Sequence, residues 1–313
     1  MTFTGTDSPG WVPARYTPSV LQSWSECVSV PALTKRFAGT AWQVDYRGPV
    51  IASGSRYVAL GSSFAAGPGI GPIVHPPAGR SGSNYAHLVA AELGLDLIDV
   101  TYSGATTAHV LDTPQDDAPP QLEALTPDTA LVTITVGGND LEYVGTFLRG
   151  SLLNTIAKPA TIFGRRVANR IRARVSYLKD EASYQAVADS LTKVVERAQE
   201  RSPDARILLV DYLSLVGPAT RPRLDVPLNE EQLPSIAMMA DGLAGAFAKA
   251  AAATGADLIA ASAASRDHAI GSAEPWTTGF TLLPPTLGGF VPYHPNAAGM
   301  RGVADLIIEV LRT

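Results

Sequence analysis

Residues 56–67 read RYVALGSSFAAG, an apolar run that passes directly into a glycine and two serines. The stretch Tyr57–Leu60 has the length and apolar character of a short buried strand, and Gly61 suits a tight turn after it. Four further apolar runs of this kind follow along the chain, at Leu95–Val100, Ala130–Val136, Arg206–Val210 and Asp257–Ala261. Five buried strands are therefore predicted, of which Tyr57–Leu60 is the first.

Helical patterns accompany these strands. They are predicted at Asn84–Leu93, Tyr184–Arg201, Glu230–Thr254 and, after the last strand, Asn296–Leu311. Strands that alternate with helices form mostly parallel sheets covered on both faces. The pattern therefore predicts an α/β fold of three layers, flavodoxin-like, with a central, mostly parallel five-stranded sheet. In such sheets ligands bind beyond the carboxyl ends of the strands.

The 313 residues are enough for one α/β domain with long loops. Residues 1–55 differ from the rest of the chain, because they carry three of the four tryptophans and no sustained helical period. We expect them to form an N-terminal extension packed on a main domain that comprises residues 56–313.

Composition narrows the classes of partner. The 24 basic and 29 acidic residues give a net charge of −5, so no nucleic-acid partner is expected. The chain has no run of ~20 uninterrupted apolar residues, so stable membrane insertion is not expected either. The N-terminal sequence MTFTGTDSPGWVPARY lacks the pattern of a secretory signal, which favours a cytoplasmic location. Cys27 is the only cysteine, which excludes an intrachain disulfide.

Several common catalytic and binding motifs are absent. The chain has no GxxxxGK[ST] phosphate loop and no HExxH zinc motif. The glycine-rich run GPGIGP at 67–72 has Pro72 where a dinucleotide-binding loop needs its third glycine. The run GSSFA at 61–65 ends in alanine, so it is not a GxSxG nucleophile elbow.

Small polar motifs instead follow three of the predicted strands. Gly61-Ser62-Ser63 comes after the first strand, Ser103-Gly104-Ala105 after the second, and Gly137-Gly138-Asn139-Asp140 after the third. A histidine, His294, opens the run HPNAAG just before the last helix. Because the carboxyl ends of parallel strands meet at one edge, these groups supply a hydroxyl, a base and N–H donors together. They are the parts of a serine hydrolase.

In this order the four motifs resemble those of the SGNH (GDSL-type) hydrolases, in particular their actinobacterial esterase and lipase branch. The resemblance covers about residues 56–313. It implies a serine carboxylester hydrolase that acts on a small-molecule or lipid ester and needs no metal or cofactor. By position, it implies Ser63 as nucleophile and first oxyanion donor, and His294 as general base. Gly104 would be a second donor through its backbone N–H, and Asn139 a third through its side-chain amide.

The chain departs from the family pattern at two positions. Ser62 stands where the family usually has an aspartate before the nucleophile. Val291 stands three residues before the histidine, where the family usually has an acidic partner for it. We expect the main-chain carbonyl of Val291 to orient His294 instead, which would make the site a Ser63–His294 dyad. Asp267 is the alternative, as a carboxylate remote in sequence.

A basic segment lies between the third and fourth predicted strands. Residues 143–179 contain no Asp or Glu but eight basic residues, namely Arg149, Lys158, Arg165, Arg166, Arg170, Arg172, Arg174 and Lys179. It is either a solvated helix face or a partly apolar flap that makes peripheral contact with anionic lipid. Two further functions stay open: an acyltransferase with the same site, and an inactive lipid- or carbohydrate-binding descendant of the fold.

Overall fold

The structure, a computed structural model, describes residues 51–160, 179–283 and 290–313. These described residues belong to one compact unit. The predicted extension at 1–55 lies outside them except for its last five residues, and so does the basic segment from 161 to 178.

A five-stranded parallel sheet forms the centre of the fold. Its strands are β1 Arg56–Gly61, β4 Asp96–Asp99, β5 Thr129–Thr135, β6 Arg206–Val210 and β7 Asp257–Ile259. They lie in the order β4-β1-β5-β6-β7. The register aligns Gly61 with Thr135, so β1 and β5 end side by side. The chain moves to one side of β1 to form β4 and then returns to the other side to form β5. This reversal makes the carboxyl ends of β1 and β5 the expected place for a ligand.

Helices cover the sheet, and the predicted α/β fold of three layers is confirmed. The helices are α1 Ser63–Ala66, α2 Tyr85–Leu93, α3 Thr107–Leu111, α4 Tyr143–Ala160, α5 Glu181–Arg201, α6 Gln232–Thr254, α7 Ala261–Ala264 and α8 Ala297–Arg312. Their starts follow from local chemistry. Asn84, Asp180 and Asn296 each accept a hydrogen bond from the backbone N–H three residues on, and so cap α2, α5 and α8. The Asp180 cap explains why α5 begins three residues before the predicted Tyr184.

A short antiparallel hairpin was not among the predicted elements. It consists of β2 Ile73–His75 and β3 Arg80–Ser81. Strands of three and two residues within the proline- and glycine-rich run 71–82 carry too little apolar pattern to be predicted.

The core lies between the sheet and the helices. The side chains of Tyr57–Leu60 in β1 are fully buried, as expected for a strand covered on both faces. Helix α6 is long and apolar enough to cross a membrane by length and composition. Eight of its residues are nevertheless buried in this core, where it packs against α5. We therefore assign α6 to the protein interior.

Candidate active site

The Ser63 turn, residues 61–63, leaves β1 at the expected edge of the sheet. A Cβ on Gly61 would lie 2.6 Å from the carbonyl oxygen of Thr135, so only glycine fits this close approach to β5. The side-chain amide of Gln121 binds both the N–H and the carbonyl of Gly61, at 2.7 and 3.0 Å. Ser63 is the first residue of α1 and is 7% exposed. Its hydroxyl is thus held on a backbone that is bonded on both sides.

The structure brings His294 to this hydroxyl. Its Nε2 lies 2.9 Å from Ser63 Oγ, although the two residues are 231 positions apart. Its Nδ1 lies 2.7 Å from the carbonyl oxygen of Pro292. A carbonyl oxygen can only accept, so Nδ1 carries the ring hydrogen of the neutral imidazole. The lone pair on Nε2 therefore faces Ser63 Oγ, which is the tautomer that a base needs.

The prediction that the Val291 carbonyl orients His294 is wrong by one residue. Tyr293 has φ +59°, and this left-handed backbone turns the carbonyl of Pro292 toward the ring. The Val291 carbonyl instead accepts a hydrogen bond from Thr278 Oγ1 at 2.6 Å. The alternative, Asp267, lies exposed on the 3-10 turn Arg266–His268 and contacts neither ring nitrogen of His294. A carbonyl partner leaves no signal in sequence, because every residue has one.

Two further segments are tied to the Ser63 turn. The Gly104 loop, residues 101–105, is joined to β1 by the Tyr102 N–H, which donates to the Gly61 carbonyl at 3.0 Å. The Asn139 turn, residues 137–140, follows β5, and its Asn139 amide donates to the Ala105 carbonyl at 2.8 Å. That bond uses one of the two hydrogens on Nδ2. The three segments carrying Ser63, Gly104 and Asn139 therefore form one hydrogen-bonded assembly.

Within the described part of the chain, neither the Ser63 N–H nor the Gly104 N–H donates to another protein group. For Ser63 the reason is its place at the start of α1, where N–H groups have no partner within the helix. Gly104 has a left-handed backbone, φ +85°, which glycine adopts without strain. These two N–H groups and the second Asn139 hydrogen are suited to hold a developing negative charge on oxygen.

Comparison with known proteins identifies the family. The sequence profile of the GDSL-like lipase/acylhydrolase family matches residues 59–301. "Lipase 2" of Streptomyces coelicolor is 33% identical over 270 residues, which cover 82% of this chain and 85% of that protein. The chain belongs to the GDSL-like lipase/acylhydrolase family. This assignment makes it a carboxylic ester hydrolase.

Further similar proteins come from other Streptomyces species. "Lipase" of Streptomyces rimosus is 29% identical over 249 residues, which cover 78% of this chain and 81% of that protein. The crystal structure of an extracellular lipase from Streptomyces rimosus is 26% identical, with a TM-score of 0.61. The match covers 82% of this chain and 99% of the chain in that structure. The phospholipase A1 of Streptomyces albidoflavus, 23% identical with a TM-score of 0.61, shares the fold.

The described residues of this GDSL-like hydrolase offer no group of three or more His, Cys, Asp or Glu placed to hold a metal ion.

The surroundings of the His294 imidazole are largely uncharged. The ring of Phe64 lies 5.6 Å from the imidazole, and burial lowers the pKa of His294 below its ordinary value of 6.5. The bond to the Pro292 carbonyl acts in the opposite direction but is the smaller effect. His294 is therefore neutral at pH 7.

The lowered pKa of His294 predicts the pH dependence of this hydrolase. The neutral imidazole is the active form, so kcat/KM should fall with acid, with a midpoint below pH 6.5. Asp211 titrates in the same range, since burial raises its pKa to about 6. We therefore expect the acid limb to persist in Asp211→Asn, measured on a soluble ester from pH 4 to 9. A midpoint above 6.5, or loss of the limb in that variant, would contradict this assignment.

The first part of the basic segment forms α4 and lies next to the site. Phe147 on its inner face is buried, with its ring 5.6 Å from that of Tyr293, the neighbour of His294. The outer face of α4 carries three exposed apolar side chains at intervals of four residues. They are Leu148, Leu152 and Ile156, which are 40%, 41% and 50% exposed. The remainder of the segment, up to 178, lies outside the described residues.

Proposed function

We propose that this protein hydrolyses carboxylic esters through a covalent acyl-enzyme on Ser63, with His294 as the base of a Ser63–His294 dyad. The contact of 2.9 Å between His294 Nε2 and Ser63 Oγ, with Nδ1 occupied by a carbonyl, carries this proposal. Such a pair activates a serine hydroxyl that is otherwise a weak nucleophile.

The first half of the reaction forms the acyl-enzyme. Ser63 Oγ attacks the ester carbonyl while its proton passes to His294 Nε2. The carbonyl oxygen becomes negative and accepts from the Ser63 N–H, the Gly104 N–H and the Asn139 amide. When the carbon–oxygen bond to the alcohol breaks, the imidazolium returns its proton to the departing alcohol. The acyl group is then an ester of Ser63.

The second half releases the acid. Water gives a proton to His294 Nε2 and attacks the acyl carbonyl, and the same three donors hold the negative oxygen again. The bond between the acyl carbon and Ser63 Oγ breaks, and Oγ takes up the proton from the imidazolium. Throughout, the Pro292 carbonyl dipole faces the Nδ1–H and stabilises the cation, which is the part a carboxylate has in a triad.

The exposed apolar face of α4 supports an acyl lipid as the substrate. It also supports a lipid surface as the place where the enzyme binds that substrate. Moving exposed apolar side chains from water into a lipid interface is favourable in free energy. Arg149, on the same helix, is half exposed and pairs with the equally exposed Glu142 at 3.6 Å, a solvent-screened contact with which anionic lipid can compete. The names of the Streptomyces lipases support the same substrate class.

Serine substitutions at Leu148, Leu152 and Ile156 together should weaken binding to vesicles of phosphatidylglycerol and phosphatidylcholine by roughly 10-fold or more. Hydrolysis of the soluble p-nitrophenyl butyrate should stay within about twofold, because none of the three side chains belongs to the site. Met238→Ser, which removes a 59% exposed side chain from α6, is the matched control. Equal vesicle binding by wild type, the triple serine variant and Met238→Ser would contradict the role of α4 in lipid binding.

A further inference from the structure

One buried hydroxyl joins the two turns on which the proposed reaction depends. Tyr212 follows β6 by two residues and is 5% exposed. Its hydroxyl accepts a hydrogen bond from the Gly138 N–H at 2.9 Å and exchanges one with Ser62 Oγ at 3.0 Å. Ser62 directly precedes Ser63, and Gly138 directly precedes Asn139. The hydroxyl thus lies one residue away from both the proposed nucleophile and an oxyanion donor.

The chain makes room for this hydroxyl at Gly138. A Cβ at that position would lie 2.6 to 2.8 Å from the ring and hydroxyl atoms of Tyr212, closer than real Cβ contacts allow. Only glycine lets the backbone N–H reach the phenol oxygen. The second glycine of the Gly137-Gly138 pair is therefore explained by Tyr212, a residue 74 positions away.

The Tyr212 ring has little freedom to move. It packs against three aromatic rings, with centroid distances of 4.6 Å to Phe64, 5.9 Å to Tyr143 and 6.0 Å to Phe247. These contacts come from α1, α4 and α6, on different parts of the chain. Burial also raises the pKa of Tyr212 to about 12, so the hydroxyl keeps its hydrogen at every pH of interest. A rigid, protonated phenol holds the two turns at a constant separation.

The same bond accounts for the serine at position 62. Ser62 Oγ lies 3.0 Å from the Tyr212 hydroxyl, so the residue before the proposed nucleophile supplies a polar side-chain atom at this point. Ser62 is 1% exposed, so loss of this bond would leave a buried polar atom without its partner.

We propose that Tyr212 and Ser62 are positioning residues of the ester hydrolase, which set the Asn139 amide relative to Ser63 through the Tyr212 hydroxyl. The assignment rests on the proposed function of Ser63 and Asn139. The hydroxyl does not touch the substrate. It acts by holding a donor where the transition-state oxygen forms, where small displacements are costly.

Tyr212→Phe removes the hydroxyl and keeps the ring contacts. We expect kcat for p-nitrophenyl butyrate to fall roughly 10- to 100-fold with KM nearly unchanged, because ground-state binding does not use the oxyanion donors. Ser62→Ala cuts the Ser62 bond of this hydroxyl and leaves its bond to Gly138, so it should lower kcat too, by no more than Tyr212→Phe does, and the double variant should lose no more than Tyr212→Phe. Ser62→Ala also serves as the test if Tyr212→Phe does not fold.

Tyr57→Phe is the matched control, because it deletes a buried hydroxyl that bonds Thr133 Oγ1 at 2.8 Å within the sheet. It should lower Tm about as much as Tyr212→Phe while kcat stays within about twofold. The acid limb of the pH profile should be the same in all these variants, since none of them touches His294.

The Asn139→Ala background separates positioning from general structural damage. Asn139→Ala alone should lower kcat roughly 10²- to 10³-fold, the effect of one oxyanion donor. With that amide absent, Tyr212→Phe should lower kcat by no more than about twofold further. If the losses of Asn139→Ala and Tyr212→Phe were fully additive, or if Tyr212→Phe kept the kcat of wild type, the positioning role of Tyr212 would be refuted while the proposed function would stand. A wild type without ester hydrolysis would overturn the proposed function, and this assignment with it.

Discussion

Replacing Ser63 by alanine should lower kcat for p-nitrophenyl esters by roughly 10³- to 10⁶-fold. The variant has no oxygen to form the acyl-enzyme, and water must attack the ester without it. The residual rate would come from the N–H donors of Ser63 and Gly104 and the Asn139 amide, which the substitution leaves in place. The fold should be unaffected, because Ser63 Oγ makes its contact with His294 and supports no backbone group.

The measurement is hydrolysis of p-nitrophenyl esters from acetate to palmitate, together with labelling by a fluorophosphonate. Ser202→Ala is the matched control, because Ser202 is also buried and donates to the Thr126 carbonyl at 2.8 Å, near the amino end of the sheet. Its activity should equal that of wild type. An active Ser63→Ala enzyme would refute Ser63 as nucleophile.

The same assay separates the two other functions. A wild type that neither hydrolyses esters nor reacts with the fluorophosphonate would favour the inactive binding descendant. New esters formed when alcohols or sugars are added would favour an acyltransferase. The chain-length profile of the wild type would then say whether short acyl groups or lipids suit the site.

His294→Asn should cause a loss of similar size, roughly 10³- to 10⁶-fold in kcat. Asparagine cannot take the Ser63 proton, so the hydroxyl stays at its ordinary, low nucleophilicity. Among the described residues, no carboxylate contacts the imidazole, so the basicity proposed for the site depends on one ring. Labelling of Ser63 by the fluorophosphonate should be lost in parallel with hydrolysis.

His268 offers an unusually close control for His294. Its Nδ1 also meets a backbone carbonyl, that of Glu274 at 2.9 Å, and its ring is stacked on Trp276. It has no serine hydroxyl on its other nitrogen among the described contacts. His268→Asn should therefore keep kcat within about twofold. If both histidine variants lost activity equally, the effect would be structural and His294 would not be the base.

Much of the fold could be predicted because buried parallel strands are continuous apolar runs. The fourth predicted strand, Arg206–Val210, has the observed bounds of β6. The fifth was predicted two residues too long, and the reason is a contact outside that segment. The Asp211 carboxylate accepts from the Ser262 N–H and hydroxyl, which starts helix α7 at Ala261 and ends β7 at Ile259.

The basic segment shows where sequence patterns carry less structural information. A charge anomaly in residues 143–179 does not say which side chains of α4 face the protein. The structure divides that helix into a face packed toward Tyr293 and an exposed face with Leu148, Leu152 and Ile156. Helical periodicity alone was too weak there to predict this division.

Sequence by itself determined the alternation of strands and helices, the family, and the residue types of the candidate site, Ser63, Gly104, Asn139 and His294. These features follow from short local runs of residues, because the identity of each residue fixes its side-chain chemistry. Only the tertiary structure decided that the Pro292 carbonyl, and not that of Val291, faces His294. It also brought Tyr212 between Ser62 and Gly138. Both depend on groups that are chemically ordinary, a backbone carbonyl and a buried phenol. Their roles arise from which distant segments pack together, and no local pattern encodes that.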